Sequence, residues 1–296
     1  MRFAPGKGNV DFSPSTLLSQ KKMLELKEVC FAYPHQEGDG QLLFDGISLT
    51  VERGEYIAIL GRDKAGKTTL AKLMKGLIHP SGGDILIDGQ AIHRSKVGAH
   101  VGLILSTPDE QLLFPTVDEE ISFGLECVGV ERKVVRERVE EYVGLLGMKK
   151  FRGSPLHFLS KSQQQRVAIM AVLAMEPHCI IVDEAGCLLD FHWESRFMSV
   201  LSELNVRREM AVIHFTSSVE KASHSHGICV LENGRLGPKN TPADIPSLRV
   251  SLVEKGFSLP PVVELSILLK QMGYPVPQGL ATLGEMEAFL LGTMRH

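Results

Sequence analysis

The chain reads as an α/β protein built on a mostly parallel sheet, and three observations predict it. Short, continuous apolar runs recur as buried strands: YIAIL (56–60), HVGLILS (100–106), HCIIVDEA (178–185) and MAVIHFTSS (210–218). Helical patterns separate them, which is the alternation that builds parallel strands with crossover helices. Third, YIAIL runs directly into GRDKAGKT (61–68), a frame of the form G-x-x-x-x-G-K-[ST] lying between a strand and a helix.

Taken in order, LELKEVCFAYP (24–34) alternates apolar and polar residues, as a half-buried antiparallel strand does. EGDGQ (37–41) is a turn cluster and LLFDGISLTV (42–51) a second strand. After the GRDKAGKT loop, TTLAKLMKGL continues as a helix with Leu70, Met74 and Leu77 on one face. HPSGG (79–83) is punctuation, and DILIDGQAI (84–92) reads as a hairpin arm. HVGLILS leads into a long loop, TPDEQLLFPTV. Residues 117–148 read as helical, and Ser160 to Met175 as another helix. ESRFMSVLSELN (194–205) is a helix, and GICVLENGRL (227–236) a hairpin on an Asn-Gly turn. Beyond about residue 247, VVELSILLKQMG and LGEMEAFLLGT predict two short helices of a small C-terminal domain. Residues 1–22 read as a poorly ordered extension, or as sequence upstream of a start at Met23, with no apolar core of a secretory signal.

Composition narrows the function classes. Hydrophobic content of 44% and charged content of 23% over 296 residues fit a globular protein with a sizeable core. A net charge of -3 argues against whole-surface attraction to nucleic acid or anionic lipid. No apolar stretch approaches the roughly 18 residues of a membrane span. Cys30, Cys127, Cys179, Cys187 and Cys229 form no CxxC pair and read as small buried hydrophobes. HSH (224–226) reads as a surface strand start, and ERKVVRERVEE as a solvated helix face.

The loop carries the chemistry. Gly61 and Gly66 permit a tight path, so successive N–H groups face phosphate oxygens beside the positive end of the following helix. Lys67 reaches β- and γ-phosphates, and Thr68 ligates Mg²⁺. The side chains of the inner residues Arg62, Asp63, Lys64 and Ala65 matter less, because backbone amides hold the phosphates; these four and Thr69, in the helix that follows, are expected to line the bound nucleotide. If position 64 needs positive φ, its lysine costs about 1 kcal/mol relative to glycine. Asp183 and Glu184 end the buried strand IIVD, which suits a Mg²⁺ ligand and a group that orients water at the γ-phosphate. ATP and Mg²⁺ are the expected ligands.

The order of motifs then becomes specific: aromatic strand, phosphate loop, TPDEQLLFPTV, LSKSQQQRVAIMAVLAMEP, IIVDEA, CLLD and VIHFTSS. It resembles the ATP-binding cassette (ABC) ATPases, and within them the ATPase subunits of energy-coupling-factor (ECF) transporters, which import vitamins, cobalt or nickel. LELKEVCFAYP, TPDEQLLFPTVDEEISFGLECVGV and LPPVVEL are similar to that subfamily's hallmarks. The resemblance implies a P-loop NTPase fold over residues 23–246, with an antiparallel β subdomain, a helical subdomain at about 107–175, and a C-terminal α domain over 247–296. It also implies that Tyr33 stacks on adenine, that Glu184 is the catalytic base, and that Asp190 sits at the contact between two ATPase subunits.

Departures from the family's pattern are equally specific. The family's LSGGQ segment, which reaches a partner's ATP, is LSKSQ here: Ser160 and Gln163 remain, while Lys161 and Ser162 replace two glycines. The family's loop glutamine falls at Ser106 and its histidine at Ser217. His214 reads as a core histidine. The resemblance therefore implies an ATP hydrolase whose loop-glutamine, signature and histidine positions are degenerate. One reading is an ATPase subunit that couples hydrolysis to micronutrient uptake through an integral membrane component. The alternative is a catalytically impaired partner in a heterodimeric ATPase pair. A second ATPase subunit is implied either way, with a heterodimer favoured over a homodimer. So is peripheral attachment at the cytoplasmic face of the membrane, with no nucleic-acid partner. A cassette ATPase acting away from membranes lacks support, since there is neither a long coiled coil nor a basic stripe.

Overall fold

A computed structural model describes residues 22–34, 42–92, 100–277, 280 and 283–293. Residues 1–21 of the extension expected over 1–22 and the EGDGQ turn lie outside the described residues, while Lys22 is already paired in a strand, opposite Glu52. Two sheets form the frame. The larger has the order β10-β9-β3-β8-β7-β6, from β3 (Tyr56–Leu60), β6 (Val101–Ile104), β7 (Cys179–Asp183), β8 (Ala211–Thr216), β9 (Gly227–Glu232) and β10 (Arg235–Leu236). All its neighbours pair in parallel except β9 with β10, which form the hairpin read from the Asn-Gly dipeptide. β3, β7 and β8 are buried at every position, which is why they read as continuous apolar runs.

The smaller sheet is antiparallel, in the order β2-β1-β4-β5, from β1 (Lys22–Phe31), β2 (Phe44–Glu52), β4 (Gly82–Ile87) and β5 (Gln90–Ala91). Its β1 departs from clean alternation. Register shifts interrupt its pairing with β2, and Glu28 has a φ of 48°, so an irregularity re-aims the strand before it reaches Phe31. Side chains of both sheets meet in one core that includes Phe44, Ile57, Leu70, Ile181 and Phe215.

The helices correct several readings. α1 (Lys67–Lys75) buries Leu70 and Met74, but it stops at Gly76 and leaves Leu77 60% exposed. The single helical run read over 117–148 is two helices, α2 (Val117–Cys127) and α3 (Arg132–Leu145). Gly129, at a φ of 77°, turns the chain between them, a conformation that a side chain would strain. The charges of α3 do lie on its solvated side, yet they pair outward: Arg138 binds Glu176, and Glu140 binds Arg152. α4 (Lys161–Ala174) packs against α2 and α3 over a core containing Ile121, Val139 and Ile169. α5 (Phe191–Arg208) and the short α6 (Val219–Ala222) follow β7 and β8.

The C-terminal segment holds three helices among the described residues, α7 (Ile245–Glu254), α8 (Pro261–Gln271) and α9 (Leu283–Thr293). α7 escaped the sequence reading because Pro246 resembles a breaker. In the first turn its missing N–H costs nothing. Ile245, Leu252, Phe257 and Val263 bury against Ala58, Leu60 and Ile228, so this segment continues the core of the parallel sheet. The cysteines divide: Cys179 and Cys229 are buried as expected, whereas Cys127 and Cys187 are exposed.

Candidate functional site

The site lies where the parallel strands end. The loop leaving β3 crosses Gly61 to Gly66 and becomes α1. Gly66 has a φ of 96°, and a Cβ there would meet the Phe44 ring at 2.9 Å, so both backbone and packing require glycine. Lys64 has a φ of 64°, so the sequence's question about that position is answered: its lysine pays the left-handed cost. Gly61 N–H donates to the Thr216 carbonyl (3.1 Å) and Ala65 N–H to the Arg62 carbonyl (3.1 Å), which fixes the loop to β8 and to itself.

The first turn of α1 has no side-chain cap and no acidic residue. The opening amides of a helix lack intrahelical partners. Thr116, Ser160, Asp190 and Ser218 serve them at the starts of α2, α4, α5 and α6; here the amides and the positive end of the dipole are left for an anion. Lys67, buried, folds back over the loop and donates to the carbonyls of Gly61 (2.7 Å) and Arg62 (2.9 Å). It also lies 3.2 Å from Glu184 Oε1, an ion pair without an aligned hydrogen bond, because that buried oxygen has no hydrogen-bond partner among the described residues. Glu184 itself sits at a φ of 49°, with its N–H tied to the Phe215 carbonyl at 3.1 Å, so strain is held at this position.

Thr68 Oγ1 donates to Asp183 Oδ2 at 2.5 Å. Asp183 is 2% exposed, and burial pushes its carboxyl above the usual carboxylate range; the Thr68 hydrogen bond opposes the shift, Glu184 reinforces it, and Lys67 opposes it. A hydroxyl and a carboxylate converging beside a second acid form a hard-oxygen donor set, which suits Mg²⁺. A divalent cation would also offset the cost of burying that charge. A cavity of about 360 Å³ brings Lys67, Thr68, Thr69, Asp183, Glu184 and Ser106 together. A second, of about 790 Å³, adjoins it through Leu43, Asp63 and Lys64 and is lined by Tyr33, Arg62, Ala65 and Phe257.

Tyr33 is half exposed beside this second cavity. Its hydroxyl is 2.9 Å from Thr69 Oγ1, and its ring meets Phe31 edge-on at 4.9 Å. Ser160 and Gln163 stand apart from these cavities, at the start of α4, in a reciprocal capping box: Gln163 N–H donates to Ser160 Oγ (3.3 Å) and Ser160 N–H to Gln163 Oε1 (2.8 Å). Thus one helix start is open and the other is closed. Lys161 turns to Asp109 at 2.6 Å and so braces this cap against the 108–110 turn. Asp190 caps α5 by accepting from Trp193 N–H at 3.1 Å. His214 is buried and its Nδ1 is 3.0 Å from Tyr56 Oη; burial holds its imidazole down at about 4. That is the core role read for it. Ser217 is exposed past the end of β8.

Three bracing residues escaped the sequence reading. Gln111 accepts from Leu105 N–H (3.0 Å) and donates to the Leu103 carbonyl (2.8 Å), and the fully buried Gln165 donates to the Leu105 carbonyl (2.9 Å). Both set the path of the chain into Ser106. Asp109 is the third. A glutamine in a polar run and an ion pair 52 positions apart leave no local signal.

The residues 44–186 match the ABC transporter family model. The chain is 34% identical over 268 residues to the energy-coupling factor transporter ATP-binding protein EcfA1 of Clostridioides difficile (strain 630), covering 89% of this chain and 96% of that protein. It is 33% identical over 266 residues to the protein of the same name from Symbiobacterium thermophilum, covering 87% and 93%. Among solved structures it resembles cbiO1 from Clostridium perfringens, described as part of the ABC transporter complex cbiONQ, at 29% identity and a TM-score of 0.67, over 83% of this chain and 98% of that one. With an open helix start, a phosphate loop and two strand-end acids converging on one cavity, the chain belongs to the nucleotide-binding ABC ATPases, in the branch of ECF transporter ATP-binding subunits.

Proposed function

We propose that this chain is the ATP-binding subunit of an ECF-type importer and that it couples nucleotide-driven closure to uptake of a micronutrient through a membrane component. The observation that carries the nucleotide role is the uncapped start of α1 above Lys67, with Thr68, Asp183 and Glu184 in the same cavity. The triphosphate lies along the loop amides, and the base lies in the adjoining cavity beside Tyr33. Thr68 and Asp183 would hold Mg²⁺, which would supply charge neutralisation to the triphosphate. On this reading, Lys67 leaves the carbonyls of Gly61 and Arg62 to meet the phosphates, and Glu184, released from Lys67, accepts a proton from the attacking water.

Hydrolysis by this chain alone is weak. Ser106 and Ser217 are too short to replace a glutamine and a histidine at the γ-phosphate. The start of α4 satisfies its own cap and carries side chains where a partner's phosphate would approach. A missing transition-state hydrogen bond costs about 3 kcal/mol, or roughly a hundredfold in rate. This favours pairing with a second, competent ATPase subunit over a homodimer.

Membrane attachment is peripheral. No helix among the described residues is long and apolar enough to cross a membrane. An apolar groove of about 300 Å³ between Leu77, Leu103, Leu113, Val172, Met175 and Pro177 opens beside the 106–115 loop, with Leu113 77% exposed. It suits a helix of the membrane component. The deciding measurement is ATP binding and turnover by the purified chain, alone and with a partner ATPase, comparing wild type with Glu184→Gln. Binding with turnover far below about 1 s⁻¹ by the lone chain is expected. Failure to bind Mg-ATP refutes the nucleotide role, and rapid turnover by the lone chain refutes the impaired-site reading.

A further inference from the structure

The nucleotide site occupies the C-terminal ends of the parallel strands. At the opposite edge of that sheet, His100 and His178 stand immediately before β6 and β7. Ladder bonds fix both backbones: His178 N–H donates to the His100 carbonyl, and Ala211 N–H to the His178 carbonyl, each at 2.9 Å. The two Nδ1 atoms are 3.1 Å apart, with the rings edge to face at 4.8 Å. Asp88 joins them from the Asp88-Gly89 turn between β4 and β5, in the other sheet. One ligand atom from each of Asp88, His100 and His178 lies within 4.8 Å of the other two. The Asp88 backbone is held too, its N–H donating to the Met23 carbonyl at 3.0 Å.

Two imidazole nitrogens at this separation hold one proton between them, with one ring donating and the other accepting. The same spacing is close to the edge of a tetrahedral coordination shell, ~3.3 Å for bonds of ~2.0 Å. Imidazole nitrogen with a single carboxylate is a donor set for borderline divalent ions such as zinc, nickel or cobalt, whereas Mg²⁺ and Ca²⁺ prefer oxygen alone. We propose that Asp88, His100 and His178 form a binding site for one divalent transition-metal ion of the zinc class. The ion replaces the shared proton and ties the β4–β5 turn to the edge of the parallel sheet. All three side chains are exposed, so water completes the coordination. Arg53 holds Asp88 Oδ1 at 2.6 Å and orients the carboxylate. Its positive charge works against the ion, so the two imidazoles supply most of the affinity.

The site is separate from the nucleotide chemistry, and its test needs no transport or turnover. The purified full-length chain is stripped of metal with a chelator, then dialysed to equilibrium against Zn²⁺ in excess Mg²⁺, which occupies oxygen-only sites. One equivalent of Zn²⁺ per chain is expected. His100→Ala and His178→Ala each weaken binding at least ~10-fold, Asp88→Asn weakens it less, and Asp183→Asn leaves it unchanged. Both histidines are exposed, so their variants keep the wild-type circular dichroism. Zn²⁺ raises the melting temperature of the wild type but not of the double histidine variant. Absence of a bound equivalent overturns the proposal. So does an equivalent that survives in the double histidine variant, or one that disappears in a Cys127→Ser/Cys187→Ser variant.

Discussion

Asp183→Asn separates what the site costs from what it does. In the protein without nucleotide, Asp183 is 2% exposed, accepts from Thr68 at 2.5 Å, and adjoins Glu184. Asparagine keeps the shape and can still accept from Thr68, so the loss is the charge assistance of one hydrogen bond, about 1 kcal/mol. The gain is relief from burying an ion, a penalty of several kcal/mol that Lys67 offsets in part. The net expectation is a stabilisation of about 1–2 kcal/mol at neutral pH, a melting temperature higher by roughly 2–5 °C. The pH dependence carries the sign. The folded state raises this carboxyl's pKa above its unfolded value of 3.8, because burial disfavours the ionised form. Its favourable contribution is therefore complete below 3.8 and is lost as pH rises through the raised folded value. The variant's advantage should accordingly be smallest in acid and grow with pH across that window. Urea denaturation from pH 4 to 8 measures the gap, and Mg²⁺-dependent binding of a fluorescent ATP analogue measures the function. A variant less stable than wild type at neutral pH, or one that binds Mg-ATP as wild type does, would refute the account of Asp183.

Other sites give sharper local tests. His214, held at about 4 by burial against an ordinary 6.5, contributes stability that is complete above 6.5 and is lost as pH falls toward 4. This acid loss, on the order of 3 kcal/mol in total, should vanish in His214→Leu, which itself costs about 1–3 kcal/mol by stranding the Tyr56 hydroxyl; an unchanged acid loss in urea titrations would count against it. A Cβ at Gly102 would lie 2.5 Å from Val172 Cγ1 and 3.1 Å from Pro177 Cγ, so Gly102→Ala should destabilise by about 1–3 kcal/mol in chemical denaturation. Lys161→Gly with Ser162→Gly removes an exposed ion pair worth about 0–1 kcal/mol, so the chain stays folded. Steady-state ATP turnover of the assembled pair should rise roughly tenfold or more, and no rise would show that the start of α4 does not limit the reaction.

Much of the site was legible because its chemistry is local. The frame from Gly61 to Thr68 carries its own strand, turn and helix start, and the acids of IIVDEA announce themselves at the end of an apolar run. Whether position 64 takes a positive φ is left open by the sequence and settled by the structure, while His214 reads as core from its place inside a strand. Features that join distant segments were not legible. The bracing of the Ser106 loop by Gln111 and Gln165, the Lys161–Asp109 pair, and α7 behind its first-turn proline depend on which surfaces meet. The two exposed cysteines failed a compositional rule for the same reason, since apolar neighbours in sequence do not fix which face turns inward.

The amino-acid order by itself determined a parallel α/β frame and a phosphate loop at one strand end, because strand and helix periods and the backbone needs of glycine are written within a few residues. Tertiary structure alone decided that Lys161, at the start of α4, reaches Asp109. It alone set the carboxyl of Asp183 against the hydroxyl of Thr68, and the ring of His100 against that of His178. Those outcomes rest on contacts between segments 52 to 115 positions apart, which no local pattern encodes.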